Sequence, residues 1–295
     1  MNISDLLGRN CKFYTKDQDF DSWFKVAEID YLQLIDRLSW EDLFKGFSGV
    51  PKLLDVGCGT GKFPSLLTQT KNLKNPVIIY DFLDPSPYSL LALKKSLNPP
   101  FLPGKQYQAT LETLPLHPFN LGQYQIIWAI HSLYTLPFEQ LPSSIDKIRS
   151  LLNPLNGVCL IYLAARHSFY ISFYERYLQI FFTPGEFSSF LDAQRVVSTL
   201  ETKGIRYEVT SLKFFHTIKQ SDTLTLERYL SKCTFDLRSV EFWLGHPPMG
   251  DFLQSFIFDG WYRFPQEVWL IQFKGKGNSS IHSPAEPSHP DFTKI

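Results

Sequence analysis

The 295-residue chain carries 29 Lys plus Arg against 29 Asp plus Glu, so no net charge draws it toward phosphate backbones and a nucleic-acid substrate is disfavoured. Its hydrophobic content of 44% and aromatic content of 16% exclude a disordered chain, and the length suits one large α/β domain with insertions. No apolar stretch approaches the ~20 residues of a membrane helix. Residues 1–9 lack the basic flank and apolar core of a signal peptide, so a soluble, cytoplasmic protein is expected, with Cys11, Cys58, Cys159 and Cys233 as reduced thiols.

In the first fifty residues Phe20, Phe24, Ala27, Tyr31, Leu34, Ile35 and Leu38 recur at spacings of three and four, predicting an amphipathic helix. Residues 52–56 then form a short buried strand, and a glycine-rich turn opens a helix over 64–71. Residues 77–83 are the second strand, followed by a helix that Asp84, Pro85 and Ser86 can cap and that runs through Leu90, Leu93 and Leu97. A weaker third strand spans 106–110, a fourth 124–130 and a fifth 157–164, with a helix over 139–152 between the last two. Such alternation implies a parallel sheet with right-handed crossovers and helices on both faces.

After Ala164 the alternation is interrupted. Residues 169–182, rich in Phe, Tyr and Ile, read as an inserted helix; 187–203 resume the crossover role, with Gly204 as C-cap, and 206–212 make a sixth strand. A second excursion covers 213–264, and 267–273 form the last strand, entered through a Trp-Tyr-Arg-Phe-Pro turn. The expected fold is therefore α/β, a doubly wound, mostly parallel seven-stranded sheet with helical cap insertions. Residues 1–45 are an N-terminal helical cap and 46–274 the main domain, with insertions at 165–185 and 213–264; the Ser-, Pro- and Gly-dense tail 275–295 is expected to be disordered.

The segment from Leu53 to Phe63 runs a buried strand into a loop with glycine at every second position, Gly57, Gly59 and Gly61, and then into a helix. Without Cβ atoms this loop, with Cys58 inside it, can lie against a nucleoside or its amino-acid tail while the helix N-terminus offers free N–H donors. Asp55 at the strand end can accept from an ammonium group or hold the loop's amides. The pattern resembles motif I of class I S-adenosylmethionine-dependent methyltransferases and departs from the G-x-G-x-x-G dinucleotide fingerprint, because Gly61 comes one residue early. The resemblance implies a Rossmann-like fold and S-adenosyl-L-methionine as cofactor.

A site of this kind wants a carboxylate at the end of the second strand for the ribose hydroxyls. Asp84 and Asp81 both qualify by distance; Asp84 is chosen because Leu83-Asp84-Pro85-Ser86 is similar to the acidic residue, Pro and Ser of some family members. Glu112, after the third strand, stands where the family meets adenine, or else is a solvated loop carboxylate.

Ile130, His131 and Tyr134 lie where the apolar fourth strand turns polar, facing the transferred methyl group. The imidazole of His131 can take a proton from an amine or hydroxyl, hydrogen-bond the acceptor, or merely cap the strand. The segments from Leu83 to Ser86 and from Ile130 to Tyr134, with the spacing of the late helices, resemble the histamine N-methyltransferase branch. That likeness implies that an acidic residue of the N-terminal helix, here Asp21, grips a substrate ammonium. His131 replaces the branch's glutamine and Phe264-Pro265 its asparagine pair. Tyr14 and Phe24 belong to an aromatic set that can surround a cationic substrate, each ring face attracting it by about 0.5–2 kcal/mol. The reaction expected is in-line methyl transfer, without metal, to a nitrogen of an amine-bearing or aromatic small molecule. A small-molecule O-methyltransferase using His131 as base is the alternative, and a non-catalytic S-adenosylmethionine-binding module the rival from another class. No membrane or nucleic-acid partner is expected, and the oligomeric state is not legible.

Overall fold

The computed structural model describes residues 20–73, 77–115 and 121–276, with side chains in the first helix from Trp23 onward. Helices α1 (Phe20–Arg37) and α2 (Trp40–Lys45) precede the sheet. Strand β1 (Lys52–Val56) leads into α3 (Lys62–Thr70), and β2 (Ile78–Leu83) into α4 (Pro87–Ser96), followed by β3 (Phe101–Tyr107). Strand β4 (Ile126–Ile130), helix α5 (Leu141–Leu151) and strand β5 (Val158–Ala164) complete the parallel part. Helices α6 (Phe169–Phe181) and α7 (Ala193–Thr202) come next, and β6 (Tyr207–Lys219) follows. Helices α8 (Thr223–Thr234), α9 (Val240–Gly245) and α10 (Pro247–Gln254) then lead to the two-residue β7 (Ile257–Phe258) and to β8 (Trp261–Lys274).

The long strands are ordered β3-β2-β1-β4-β5-β8-β6, with β7 pairing against β8. Strands β1 to β5 are mutually parallel, whereas β8 runs antiparallel to both β5 and β6. The sheet is thus doubly wound and mostly parallel, as expected. Both of its faces are covered, and successive strand residues alternate between two apolar cores, as a period of two requires. Leu54, Val56, Ile127 and Ala129 enter one core with α5, α6 and α7, while Leu53, Ile126, Trp128 and Leu160 enter the other with α1 to α4.

Several boundaries differ from the sequence expectation. Strand β3 begins at Phe101 instead of 106, because Pro103, Gly104 and a run of exposed residues hide it; it is the edge of the sheet, where a missing N–H is tolerated. Helix α7 starts at Ala193 and not at 187, since the Asp192 side chain accepts from Arg195 N at 2.9 Å and caps it there. The excursion read as 213–264 is shorter: residues 213–219 and 261–264 belong to the β6–β8 ladder, which runs in register from Tyr207↔Phe273 to Lys219↔Trp261. Pro265, read as part of a turn, lies inside β8 where β5 no longer pairs with it, since that ladder begins at Val268. The expected tail, 275–295, lies, beyond Lys276, outside the described residues.

The unforeseen α2 anchors the second core. Trp40, 2% exposed, places its ring 5.5 Å from Phe63 and 6.1 Å from Trp128 and donates Nε1–H to Ile35 O at 2.9 Å. Replacing it with alanine leaves a cavity between the N-terminal helices and β4, at a cost of about 3–5 kcal/mol. Urea denaturation should show that loss in Trp40→Ala, and a midpoint within error of wild type would refute the assignment of Trp40 to the core.

Candidate active site

Strand β1 ends at Val56 beside β4, where the strand order reverses, and ligands of doubly wound sheets bind outside the carboxyl ends of strands at such a point. The loop after it is sewn to β2: Gly57 N and Cys58 N donate to Leu83 O at 2.7 and 3.1 Å. Gly57 has φ 68°, and a Cβ there would lie 2.4 Å from Ser132 Cβ, so neither the backbone nor the space admits a side chain. Gly61, at φ 79°, is the N-cap of α3.

Asp84 holds this loop open. Its Oδ2 accepts from Gly59 N at 2.9 Å and its Oδ1 from Ser86 N at 2.8 Å, while Ser86 Oγ accepts from Ser89 N and caps α4. Burial raises the Asp84 carboxyl above its ordinary range against these two amides and the charge of Lys232. Asp81, its rival, is fully buried and committed elsewhere: it accepts from Lys105 N at 2.7 Å and Tyr124 Oη at 2.8 Å and pairs with Lys52 Nζ at 3.0 Å. Asp55, also buried, accepts from the Tyr80 hydroxyl. Its burial, aided by the charge of Asp84 and opposed by that hydrogen bond, pushes its carboxyl up to about 7.

One cavity runs from this loop to the end of β4. Asp55, Gly57, Cys58, Gly59, Asp84, Pro85, Ser86, Glu112, Ile130, His131 and Tyr134 all line it, as does Phe24 from α1. Gly61 stands behind the lining as helix cap, and Asp81 is not part of it. Tyr14 and the side chain of Asp21 lie outside the described residues. Among the described side chains of α1 the carboxylate that lines the cavity is Asp30, about 14 Å along the helix from position 21.

At the far end, Asp30 meets His131 from β4 and His216 from β6. His131 Nε2 is 3.2 Å from Asp30 Oδ1, His216 Nε2 is bonded to Asp30 Oδ2, and His216 Nδ1 is 2.8 Å from Tyr229 Oη. Burial would raise the Asp30 carboxyl, but the two imidazoles facing its oxygens, His216 and His131, outweigh it and hold the group below the ordinary carboxylate range. His131 adopts φ 52°, the left-handed region that a side chain pays for, and so turns its ring out of the strand into the cavity. Lys232 of α8 also lines the cavity, its Nζ 5.4 Å from the Trp23 ring centroid and 5.7 Å from that of Phe235.

Asp30, His216, Tyr229, Lys232 and Gln266 were not singled out from sequence. For Asp30 a signal existed: it lies three residues after Ala27 and four before Leu34, on the apolar stripe of its own helix. His216 and Gln266 carried none, because the first sits in a segment read as a helical cap insertion and the second just before the last strand as read, and both prove to lie in long strands. The aromatic set divides, with Phe169, Phe173, Tyr174, Tyr177 and Trp243 packed in the first core and Trp23, Phe24 and Tyr170 lining the cavity.

A glycine loop held by a buried carboxylate at the switch point of a doubly wound sheet is the usual setting of a nucleotide-binding α/β fold. The family model described as "Methyltransferase domain" matches residues 26–208, well over half of the chain. The chain belongs to that family, and it is an S-adenosylmethionine-dependent methyltransferase with the class I strand order. A proposed methyltransferase of Bacillus halodurans C-125 shares the fold, with a TM-score of 0.50 at 16% identity over 79% of this chain and 97% of that one. A SAM-dependent methyltransferase of Leishmania major gives a TM-score of 0.49 at 14% identity, over 92% of this chain and 86% of that one. Another from Thermotoga maritima, a possible histamine N-methyltransferase, gives 0.47 at 14% identity, over 86% of this chain and 93% of that one. No curated protein matches the chain.

Burial lowers the Lys232 amine from its ordinary 10.5 to about 7, against the opposing charges of Cys233 and Asp84. Between these two values the unfolded chain holds a proton that the folded one has released, so this group's contribution to stability rises with pH and is lost as pH falls toward 7. Denaturant unfolding between about pH 6 and pH 10 should show the wild type gaining stability relative to Lys232→Met as pH rises. Parallel curves for the two proteins would mean that Lys232 keeps its proton in the fold.

Proposed function

We propose that this methyltransferase acts on a nitrogen of a small amine-bearing or aromatic molecule. The observation that carries the reading is the single cavity joining the glycine loop to a floor of Asp30, His131 and Tyr134 walled by the rings of Trp23, Phe24 and Tyr170. Aromatic faces beside an ionised carboxylate suit a partly aromatic or cationic guest. In this arrangement the cofactor's methionine end lies on the loop from Gly57 to Gly61 near Asp55, its ribose at Asp84 with Pro85 and Ser86 alongside, and its adenine by Glu112. The methyl group then faces His131 and Tyr134 past Ile130. Holding two reactants in line supplies roughly 7–11 kcal/mol of a barrier, so one modest base suffices.

A hydroxyl acceptor is the second reading, favoured by one observation: His131 stands 3.2 Å from a buried carboxylate, the setting of a histidine that takes a proton. The helices α6 and α8 to α10, with α1, would form a cap over the bound pair. The three described thiols, Cys58, Cys159 and Cys233, are free and buried, which suits a reducing, cytoplasmic setting, and no helix among the described residues is long and apolar enough to cross a membrane.

Transfer of a labelled methyl group from S-adenosylmethionine to a panel of amines and phenols tests the acceptor class; methylated amines are expected, and products confined to phenols would move the assignment to oxygen. Calorimetry with S-adenosylhomocysteine tests the ribose site. Asp84→Ala should weaken binding about 10- to 100-fold, the worth of hydrogen bonds to a charged group. Asp81→Ala should lower stability and leave affinity near wild type; the reverse pattern would give the ribose to Asp81.

A further inference from the structure

We propose that Asp30 and His216 are positioning residues of the transfer site, which fix His131 as the receiver of the acceptor's proton with Tyr134 handing it on. This rests on the methyltransferase reading above. Two tyrosine–histidine arms converge on the one carboxylate. In the first, the backbone N–H of Ala164, which can only donate, reaches Tyr134 Oη at 3.2 Å, and Tyr134 Oη is 2.6 Å from His131 Nδ1. With that donor in place, we set the tyrosine's own proton toward Nδ1. A neutral His131 then carries its proton on Nε2, the atom 3.2 Å from Asp30 Oδ1.

The second arm repeats this order. The Gln266 side-chain N–H donates to Tyr229 Oη at 3.2 Å, Tyr229 Oη is 2.8 Å from His216 Nδ1, and His216 Nε2 is bonded to Asp30 Oδ2. Each carboxylate oxygen thus faces one imidazole. The backbone beneath is pinned as well, because Asp30 O accepts from Tyr162 Oη at 3.1 Å. Buried, bonded to His216 through one oxygen and with the other beside His131 Nε2, the carboxylate is held toward His131, and a held carboxylate biases the tautomer of the ring it faces. His131 Nε2 lies near Asp30 without the alignment of a full hydrogen bond, so that contact has room to tighten when the ring gains charge.

The proton balance is complete within the site. The acceptor's lone pair forms the bond to the methyl carbon, and the C–S bond breaks to leave neutral S-adenosylhomocysteine. The acceptor's N–H or O–H proton passes to Tyr134 Oη while the tyrosine's proton passes to His131 Nδ1. The positive charge that leaves the sulfonium reappears on the imidazolium, beside the Asp30 carboxylate. The class of acceptor follows: a neutral amine or a hydroxyl with a proton to surrender, and not a tertiary amine.

Nitrogen NMR of the full chain labelled at histidine, bound to S-adenosylhomocysteine and assigned with His131→Gln and His216→Gln, reads the tautomers directly. Both rings should carry the Nε2 proton in the wild type, and His131 should lose that fixed state in Asp30→Asn. A wild-type His131 exchanging between both tautomers overturns the proposal, and this measurement needs no turnover. With an acceptor from the amine and phenol panel, Asp30→Asn should lower kcat by about 10²- to 10⁴-fold with KM and S-adenosylhomocysteine affinity little changed, and Asp30→Glu should restore part of it. An unchanged kcat in Asp30→Asn also overturns it. Should that variant fail to fold, His216→Gln is expected to show the same split with a smaller loss in kcat, and an unchanged kcat there is equally adverse. Failure of the wild type to bind S-adenosylhomocysteine would instead strike the methyltransferase reading itself.

Discussion

Strands β1 and β4 lie side by side with both faces covered by helices, and that constraint governs where polar chemistry can occur. Along β1 and β4 most side chains fall into one of two apolar cores, Leu53, Ile126 and Trp128 on one face and Leu54, Ile127 and Ala129 on the other, where an unpaired polar group is costly. The cavity's polar groups collect where the strands end. At the switch point the chain leaving β1 turns one way and the chain leaving β4 the other, which opens a crevice floored by backbone amides. Asp84 keeps it open by taking an amide of the glycine loop with one oxygen and an amide of α4 with the other.

That logic explains which parts of the structure could be read in advance. The strand, glycine loop and carboxylate are local in sequence and carry their own signature, so Asp55, Gly57, Gly59 and Asp84 were legible, as was the order of elements up to β5. The strand end at His131 was legible for the same reason. The acceptor side is assembled from α1, β6, α8 and β8, four elements separated by up to 236 positions between Asp30 and Gln266, and no short motif records their meeting. Edge strands hid best: β3 and β6 expose much of one face, and proline in β3 and β8 mimics a turn. The order chosen between Asp84 and Asp81 rested on likeness; the structure supplies a physical distinction, since the strand's alternation turns Asp81 toward Lys52 and Tyr124, away from the cavity.

The cavity holds an unusual concentration of buried ionisable groups, and each is matched differently. Burial pushes the Asp55 carboxyl up to about 7. It lowers the Lys232 amine, a group of the other sign, to about 7. Asp30 is instead held below the ordinary carboxylate range, with a histidine facing each of its two oxygens. The distinction separates the groups that a cationic cofactor can recharge on arrival from one that is charged beforehand.

Methyl transfer from a sulfonium to a neutral acceptor destroys one positive charge and must create another. In the proposed placement, a cofactor bound near Asp55 and Asp84 would bring cationic character to carboxylates that burial has made reluctant to ionise, so that binding and ionisation would favour each other. At the acceptor end the carboxylate is already ionised when the proton comes free. A pre-set negative charge costs no reorganisation at the moment of reaction and acts most strongly in a water-poor pocket. The strained backbone of His131 is intelligible on the same terms, since φ 52° is what turns that ring from the end of β4 toward Asp30, and the sheet's two cores supply the rigidity that holds it there.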